Sequence, residues 1–150
     1  MKFVLVSCQP ILRYNSSMDE FNVSLYELIG GGTALWTLVN RFYDLMDSAP
    51  EAKRVRAIHP PELDQSREKL FMFLSGWSGG PALYVEKIGP PRLRQRHMPF
   101  PIGKAERDEW LWCMNKAVSE RGFDAPLTEY LMERFTQIAN SMQNRVDIDL

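Results

Sequence analysis

His97 closes a basic run, PPRLRQRH at residues 90–97, that contains no acidic side chain, and MPFP follows it directly. It is one of only two histidines in the chain. Pro90, Pro91, Pro99 and Pro101 bracket the imidazole, and Arg92, Arg94 and Arg96 lead up to it. Imidazole is the commonest protein ligand for a metal, and a guanidinium pairs with a carboxylate or phosphate through two parallel bonds. The stretch therefore suits a metal and an anion held close together. A closed zinc site is a poor match, because it wants about four His, Cys or carboxylate ligands at short spacings. His59, the other histidine, lies far upstream, and neither Cys8 nor Cys113 neighbours either imidazole.

A haem iron asks less of the chain. The porphyrin supplies four nitrogens, one histidine completes the anchor, and the two propionates are carboxylates that arginines can hold. One histidine with adjacent arginines is chemically coherent for that group. A histidine beside arginines is equally what a solvated loop contains, so the run alone leaves both readings open.

Composition narrows the classes. A chain of 150 residues is long enough to bury one real core. With 45% hydrophobic and 25% charged residues it has the profile of a globular domain. A net charge of −1 gives no global attraction for nucleic acid or an anionic membrane, so the basic run must act locally. No run of about 18 apolar residues is present, which leaves no membrane-spanning helix. Cys8 and Cys113 are too far apart to suggest a disulfide framework. A reducing compartment, the cytoplasm, fits, with Cys113 packed as a small hydrophobe. The opening MKFVLVSC is similar to a lipoprotein signal, but FVLV is short of the roughly 7–15 apolar residues of a signal core. A dispensable leader ahead of Met18 is the better expectation.

Apolar periodicity places the elements that must carry His97. Residues 1–22 are weakly periodic and read as a loosely attached N-terminal arm. Ser24 caps a short helix with Leu25, Leu28 and Ile29, which Gly30, Gly31 and Gly32 stop. A second helix opens at Thr33 with Leu35, Leu38, Val39, Phe42 and Met46 on one face and Tyr43 on its flank, and Pro50 marks its end. Pro60 and Pro61 make a corner just after His59. A third helix runs from Asp64 with Leu70, Phe73, Leu74 and Trp77 inward, until Gly79, Gly80 and Pro81 break it. Between 82 and 101 the prolines allow at most one or two helical turns. A long helix from about Lys104 carries Trp110, Cys113, Met114 and Ala117 as a stripe and stops at Gly122. The last helix, roughly 126–143, buries Leu127, Leu131, Phe135, Ile138 and Met142. No segment alternates like a strand, so the fold class is all-α. The twenty residues in the middle are too apolar for disorder (Leu83, Tyr84, Ile88, Leu93, Met98, Phe100, Ile102) and must fold against something.

Four stretches taken together identify a family resemblance. RFYDLM at 41–46, FMFLSGWSGGP at 71–81, PRLRQRHMPFPI at 91–102 and ERDEWLWCMNKAV at 106–118 occur in order and at matching separations. Together they resemble the truncated haemoglobins, specifically their second group. The likeness covers roughly residues 25–143. It implies a two-over-two sandwich of α-helices around haem b (iron protoporphyrin IX). The domain then spans 23–145, with 146–150 as a C-terminal tail.

By that resemblance His97 is the proximal iron ligand. Arg96, Arg94 and Arg92 are partners for the propionates, and Phe100 belongs to the same wall. Tyr84 has two readings, a core tyrosine or a further partner at that edge. Tyr43 and Trp110 match the distal tyrosine and tryptophan that point donors at bound ligand, whereas Trp112 falls on another helical face. Ser66, Leu70 and Phe73 complete the distal wall. His59 stands where many members carry tyrosine, near a small insertion between Ser48 and Pro61. It is either a third distal group or an exposed corner residue.

Oxygen held at a ferrous iron carries negative charge on its outer atom, so donors there retain it. The resemblance thus implies a globin that reversibly binds oxygen and other small ligands such as NO and CO, of the oxygen-binding or transport type. The alternative is an enzyme, a nitric oxide dioxygenase or peroxidase-like catalyst, using Tyr43, Trp110 and His59 with an unidentified reductase as electron donor. A cofactor-free helical interaction module is the plainest third reading. The role of the arm and the oligomeric state, a homodimer included, stay open.

Overall fold

The computed structural model describes residues 23–146, and every regular element among them is helical. The expectations for the N-terminal arm, the leader and Cys8, and for the end of the C-terminal tail, lie outside the described residues. No helix among the described residues is long and apolar enough to cross a membrane.

Helix α1 (Leu25–Ile29) begins where Ser24 Oγ accepts the N–H of Glu27 at 3.1 Å, and Gly30 ends it in the left-handed region at φ 116°. Helix α2 (Gly31–Ser48) starts at once, two residues before the expected Thr33. Gly30 and Gly31, at φ 116° and 81°, supply the turn. Gly32 serves a different purpose: a Cβ there would come within 2.8 Å of the Tyr26 hydroxyl. A Cβ on Gly80, in the turn after the third long stretch, would overlap the same ring. Tyr26 also donates its N–H to Ser78 O at 2.7 Å. Two glycine clusters far apart in sequence thus close around one tyrosine.

The apolar stripe of α2 is buried as the spacing predicts, with Tyr43 only 5% exposed. After Ser48 comes a 3-10 turn (Pro50–Ala52) and a short helix α3 (Lys53–Ala57), neither evident in the sequence. Tertiary contact stabilises them, because Glu109 Oε1 accepts the N–H groups of Arg54 and Val55 at 2.8 and 2.9 Å. Those are helix-start donors that the helix cannot satisfy itself. Helix α4 (Asp64–Trp77) follows the Pro60–Pro61 corner. Two five-residue helices, α5 (Leu83–Lys87) and α6 (Leu93–His97), are all that the proline-rich middle allows. Helix α7 (Lys104–Ser119) and helix α8 (Ala125–Met142) complete the chain, the latter capped by Asp124 Oδ1 on the N–H of Leu127.

The four long helices form two pairs, α2 with α4 and α7 with α8, and α2 crosses onto α7. This is the two-over-two arrangement. Its centre is a train of rings running across all four: Phe42 meets Trp110 edge-on at 5.1 Å, Trp110 meets Phe135 at 6.2 Å, and Phe135 stacks on Trp77 at 5.3 Å. Phe42 and Phe135 are fully buried, while Ile138 and Met142 are only half-buried and Ala139 takes the inward position. Cys113 is buried as a small hydrophobe, and burial, ahead of the nearby carboxylate of Glu109, pushes its thiol up to about 11.

Candidate functional site

Helix α6 carries His97 at its last position and starts from Arg92, whose φ of 42° is the one positive value at a non-glycine residue among those described. Such a conformation is uncommon for a side-chain-bearing residue. No residue of α6 is fully buried. The imidazole is half-buried, and its Nδ1 lies 2.6 Å from the carbonyl of Leu93. A carbonyl only accepts, so Nδ1 carries a proton, and in the neutral ring Nε2 keeps its lone pair. This is the tautomer and orientation that a metal-ligating histidine needs. Beside it, Met98 and Phe100 leave 46% and 42% of their surfaces exposed, an apolar rim that water does not stabilise.

The three arginines of the run separate. The Arg92 side chain is exposed and makes no hydrogen bond or ion pair among the described residues. Arg96 donates to the carbonyls of Pro91 and Pro90 at 2.8 and 3.2 Å and rests 5.7 Å over the Tyr84 ring. Arg94 reaches the end of α8. Its Nη1 donates to the carbonyls of Ser141 and Gln143 at 2.8 and 2.9 Å. The last carbonyls of a helix have no partner within it, and a guanidinium satisfies two at once. Tyr84 is buried, edge-on to Phe73 at 6.3 Å, which makes it both a core tyrosine and the shelf beneath Arg96.

Tyr43 and His59 meet edge-on at 6.0 Å, with Phe42 edge-on to Tyr43 at 4.8 Å. Burial pushes the Tyr43 phenol well above its usual range, against the opposing charge of Arg67, so it stays a donor at any ordinary pH. Neither the Tyr43 hydroxyl nor the Trp110 indole N–H makes a hydrogen bond among the described residues. Trp112 lies apart, under the Lys116 ammonium at 5.9 Å. Ser66 and Leu70 are half-buried on α4, and Phe73 is buried.

His59 is half-buried against Tyr43, not an exposed corner residue. Its Nδ1 lies 2.7 Å from the carbonyl of Val55, the same i−4 tie that His97 makes. Burial lowers its pKa; the bond to Val55 opposes this, and the charges of Arg56 and His97 lower it further. The neutral ring therefore keeps its proton on Nδ1 and turns Nε2 out as an acceptor. Its corner is stapled by Arg56, which donates to Asp47 and to the carbonyls of Pro60 and Pro61, each at 2.8 Å.

Three contributors have no clear signature in the sequence. Arg67 reaches from α4 to Asn40 and Asp44 and lies 5.9 Å over the Tyr43 ring, fixing that phenol from behind. Glu109, next to Trp110, caps α3 and so supports the carbonyl that holds His59. Asn144 donates to the carbonyls of His97 and Phe100. No short motif marks any of them, because each acts on a partner distant in sequence.

The donor set fits a haem. One imidazole carries its proton on Nδ1 beside an apolar rim, and a phenol, an indole N–H and the Arg92 guanidinium have no hydrogen-bond partner among the described residues.

Comparisons with known proteins agree. The family model for bacterial-like globins matches residues 24–144. Group 2 truncated hemoglobin YjbI of Bacillus subtilis is 38% identical over 131 residues, covering 87% of this chain and 96% of that protein. The group II 2-on-2 hemoglobin of Agrobacterium tumefaciens superposes with a TM-score of 0.80 at 49% identity, covering 83% of this chain and 96% of the other. A truncated oxygen-avid haemoglobin from Bacillus subtilis gives a TM-score of 0.74 at 38% identity over 81% of this chain and all of that one, 100%.

Proposed function

The chain belongs to the bacterial-like globins, among the group II truncated haemoglobins, and from that membership we infer that it holds haem b through His97 and binds oxygen and other diatomic ligands reversibly. The observation that carries this reading is one imidazole whose Nδ1 is tied to Leu93 O, in the same fold as two donors, the Tyr43 hydroxyl and the Trp110 indole N–H, that have no hydrogen-bond partner among the described residues. The haem supplies a ferrous iron with a coordination position open to a diatomic ligand.

The chain's own residues do the rest. Leu93 O holds the imidazole in the tautomer that leaves Nε2 free. Tyr43 and Trp110 donate towards the negative end of the ligand, from positions fixed by Phe42, Phe135 and Arg67. Arg92, whose side chain has no partner among the described residues, would meet a propionate, and Arg96 with Tyr84 would form the neighbouring edge. Leu70, Phe73 and Phe100 give the macrocycle an apolar bed, and small Ser66 leaves the ligand room. Two donors slow ligand release, in keeping with the oxygen-avid relative. Visible spectra of the ferric, ferrous and carbon monoxide forms test the reading. The purified protein should show a Soret band, and His97→Gly should lose haem or change its ferrous spectrum. An unchanged ferrous spectrum in that variant would overturn the anchor.

His59 favours a second reading, nitric oxide dioxygenation or peroxidase-like turnover. Its Nε2 is an unprotonated base beside the Tyr43 phenol, able to take up and return a proton. Electrons would come from a separate reductase. Stopped-flow mixing of the oxygenated protein with nitric oxide, under continuous reduction, separates the two: repeated turnover supports the enzyme, a single slow event the binder.

A further inference from the structure

Helix α6 raises a mechanical problem. Of its five residues none is fully buried and Leu93 is the one apolar side chain that packs, in part, against the core, so apolar packing gives little hold, and a helix this short is not stable alone. Yet the direction of His97 Nε2 depends on it. What fixes the segment is hydrogen bonding to the chain just beyond α8. The Asn144 carboxamide donates to His97 O at 3.1 Å and to Phe100 O at 2.9 Å, while its Oδ1 accepts the N–H of Ile102 at 3.0 Å. The backbone N–H groups of Asn144 and Arg145 both reach Ile102 O, at 2.8 and 3.0 Å. Arg94 closes the other side on Ser141 O and Gln143 O.

We propose that Asn144 is the positioning residue for the axial histidine, its carboxamide fixing the His97 peptide while Leu93 O fixes the ring. This rests on His97 being the iron ligand. Two anchor points, one on the main chain and one on Nδ1, define where Nε2 points. A carboxamide is needed because one side chain must donate twice while its oxygen accepts from Ile102 N–H and from Arg145 Nη1. Aspartate would keep the acceptor for Ile102 and lose both donations.

The test uses the full-length ferrous holoprotein without added ligand. The iron–histidine stretching band is read by resonance Raman, and haem loss by transfer to a scavenging apoglobin. Asn144→Ala should shift or broaden the band and speed haem loss about tenfold, the effect expected of one net hydrogen bond. Asn144→Asp should do the same. An aspartate variant indistinguishable from wild type would mean that the hold on Ile102 suffices, which overturns the proposal, as would an unchanged band in both variants. A wild-type protein lacking the band would instead remove the axial-ligand reading and the clamp with it. If Asn144→Ala does not fold, Arg94→Ala cuts the adjacent tie and should move the band in the same direction; an unmoved band there overturns the clamp.

Discussion

Replacing Tyr43 by phenylalanine isolates the chemistry of the distal wall, because the hydroxyl makes no hydrogen bond among the described residues while the ring is held on three sides. Phe42, His59 and Arg67 contact the ring, not its oxygen, so the variant keeps its packing and stability should change little. What disappears is one donor aimed at the ligand. A hydrogen bond to a charged acceptor contributes about 1.5–3 kcal/mol, and burial of Tyr43 keeps water from replacing it. Oxygen dissociation should therefore accelerate roughly 10- to 150-fold, since every 1.4 kcal/mol is a factor of ten. Stopped-flow displacement of oxygen by excess carbon monoxide measures the rate. Dissociation of carbon monoxide itself, a ligand with less charge to stabilise, should change much less. Trp110→Phe should also speed oxygen release, and the double variant should fall short of the product of the two, because the donors share one acceptor. An oxygen rate within twofold of wild type in Tyr43→Phe would refute the assignment of that phenol to the ligand.

Burial holds the His59 imidazole below its ordinary value of 6.5, so the folded chain binds that proton more weakly than the unfolded chain. Stability is then full above that value, declines as pH falls towards the depressed one and is level below it. Urea unfolding of the apoprotein should show this decline, and a His59→Gln variant that retained it would exclude His59 as its source. Gly80→Ala forces a methyl group into the Tyr26 ring and should cost roughly 1–3 kcal/mol, with partial rescue by Tyr26→Val; an undiminished melting temperature would show that the turn is not so closely packed. Phe135→Ala removes a fully buried ring stacked on Trp77 and should cost roughly 3–5 kcal/mol, read by denaturant titration, where a loss below 1 kcal/mol would contradict the ring train.

The long helices and their inward faces were legible because the information is local. Leu35, Leu38, Val39 and Phe42 recur at helical spacing, and the prolines at 50, 60, 61, 90 and 91 stop the backbone wherever they fall. His97 and its short helix were legible for the same reason, as prolines leave that segment few shapes. The extra helix Lys53–Ala57 was not legible, since Glu109 stabilises it from another element.

The division of the arginines shows where sequence stops. Arg92, Arg94 and Arg96 are alike in charge and closely spaced, and all three read as anion partners. Only the folded chain brings the bare carbonyls of Ser141 and Gln143 to Arg94, the Tyr84 ring under Arg96, and no side-chain partner among the described residues to Arg92. Likewise the proton on each histidine is set by a carbonyl four residues earlier, Val55 for His59 and Leu93 for His97, and turns a generic imidazole into one with a defined free nitrogen. The sequence determined which side chains are present and which backbone shapes are open to them, because both depend on near neighbours. The tertiary structure decided which donor meets which acceptor, because hydrogen bonds are short and directional and only the packed chain fixes those distances.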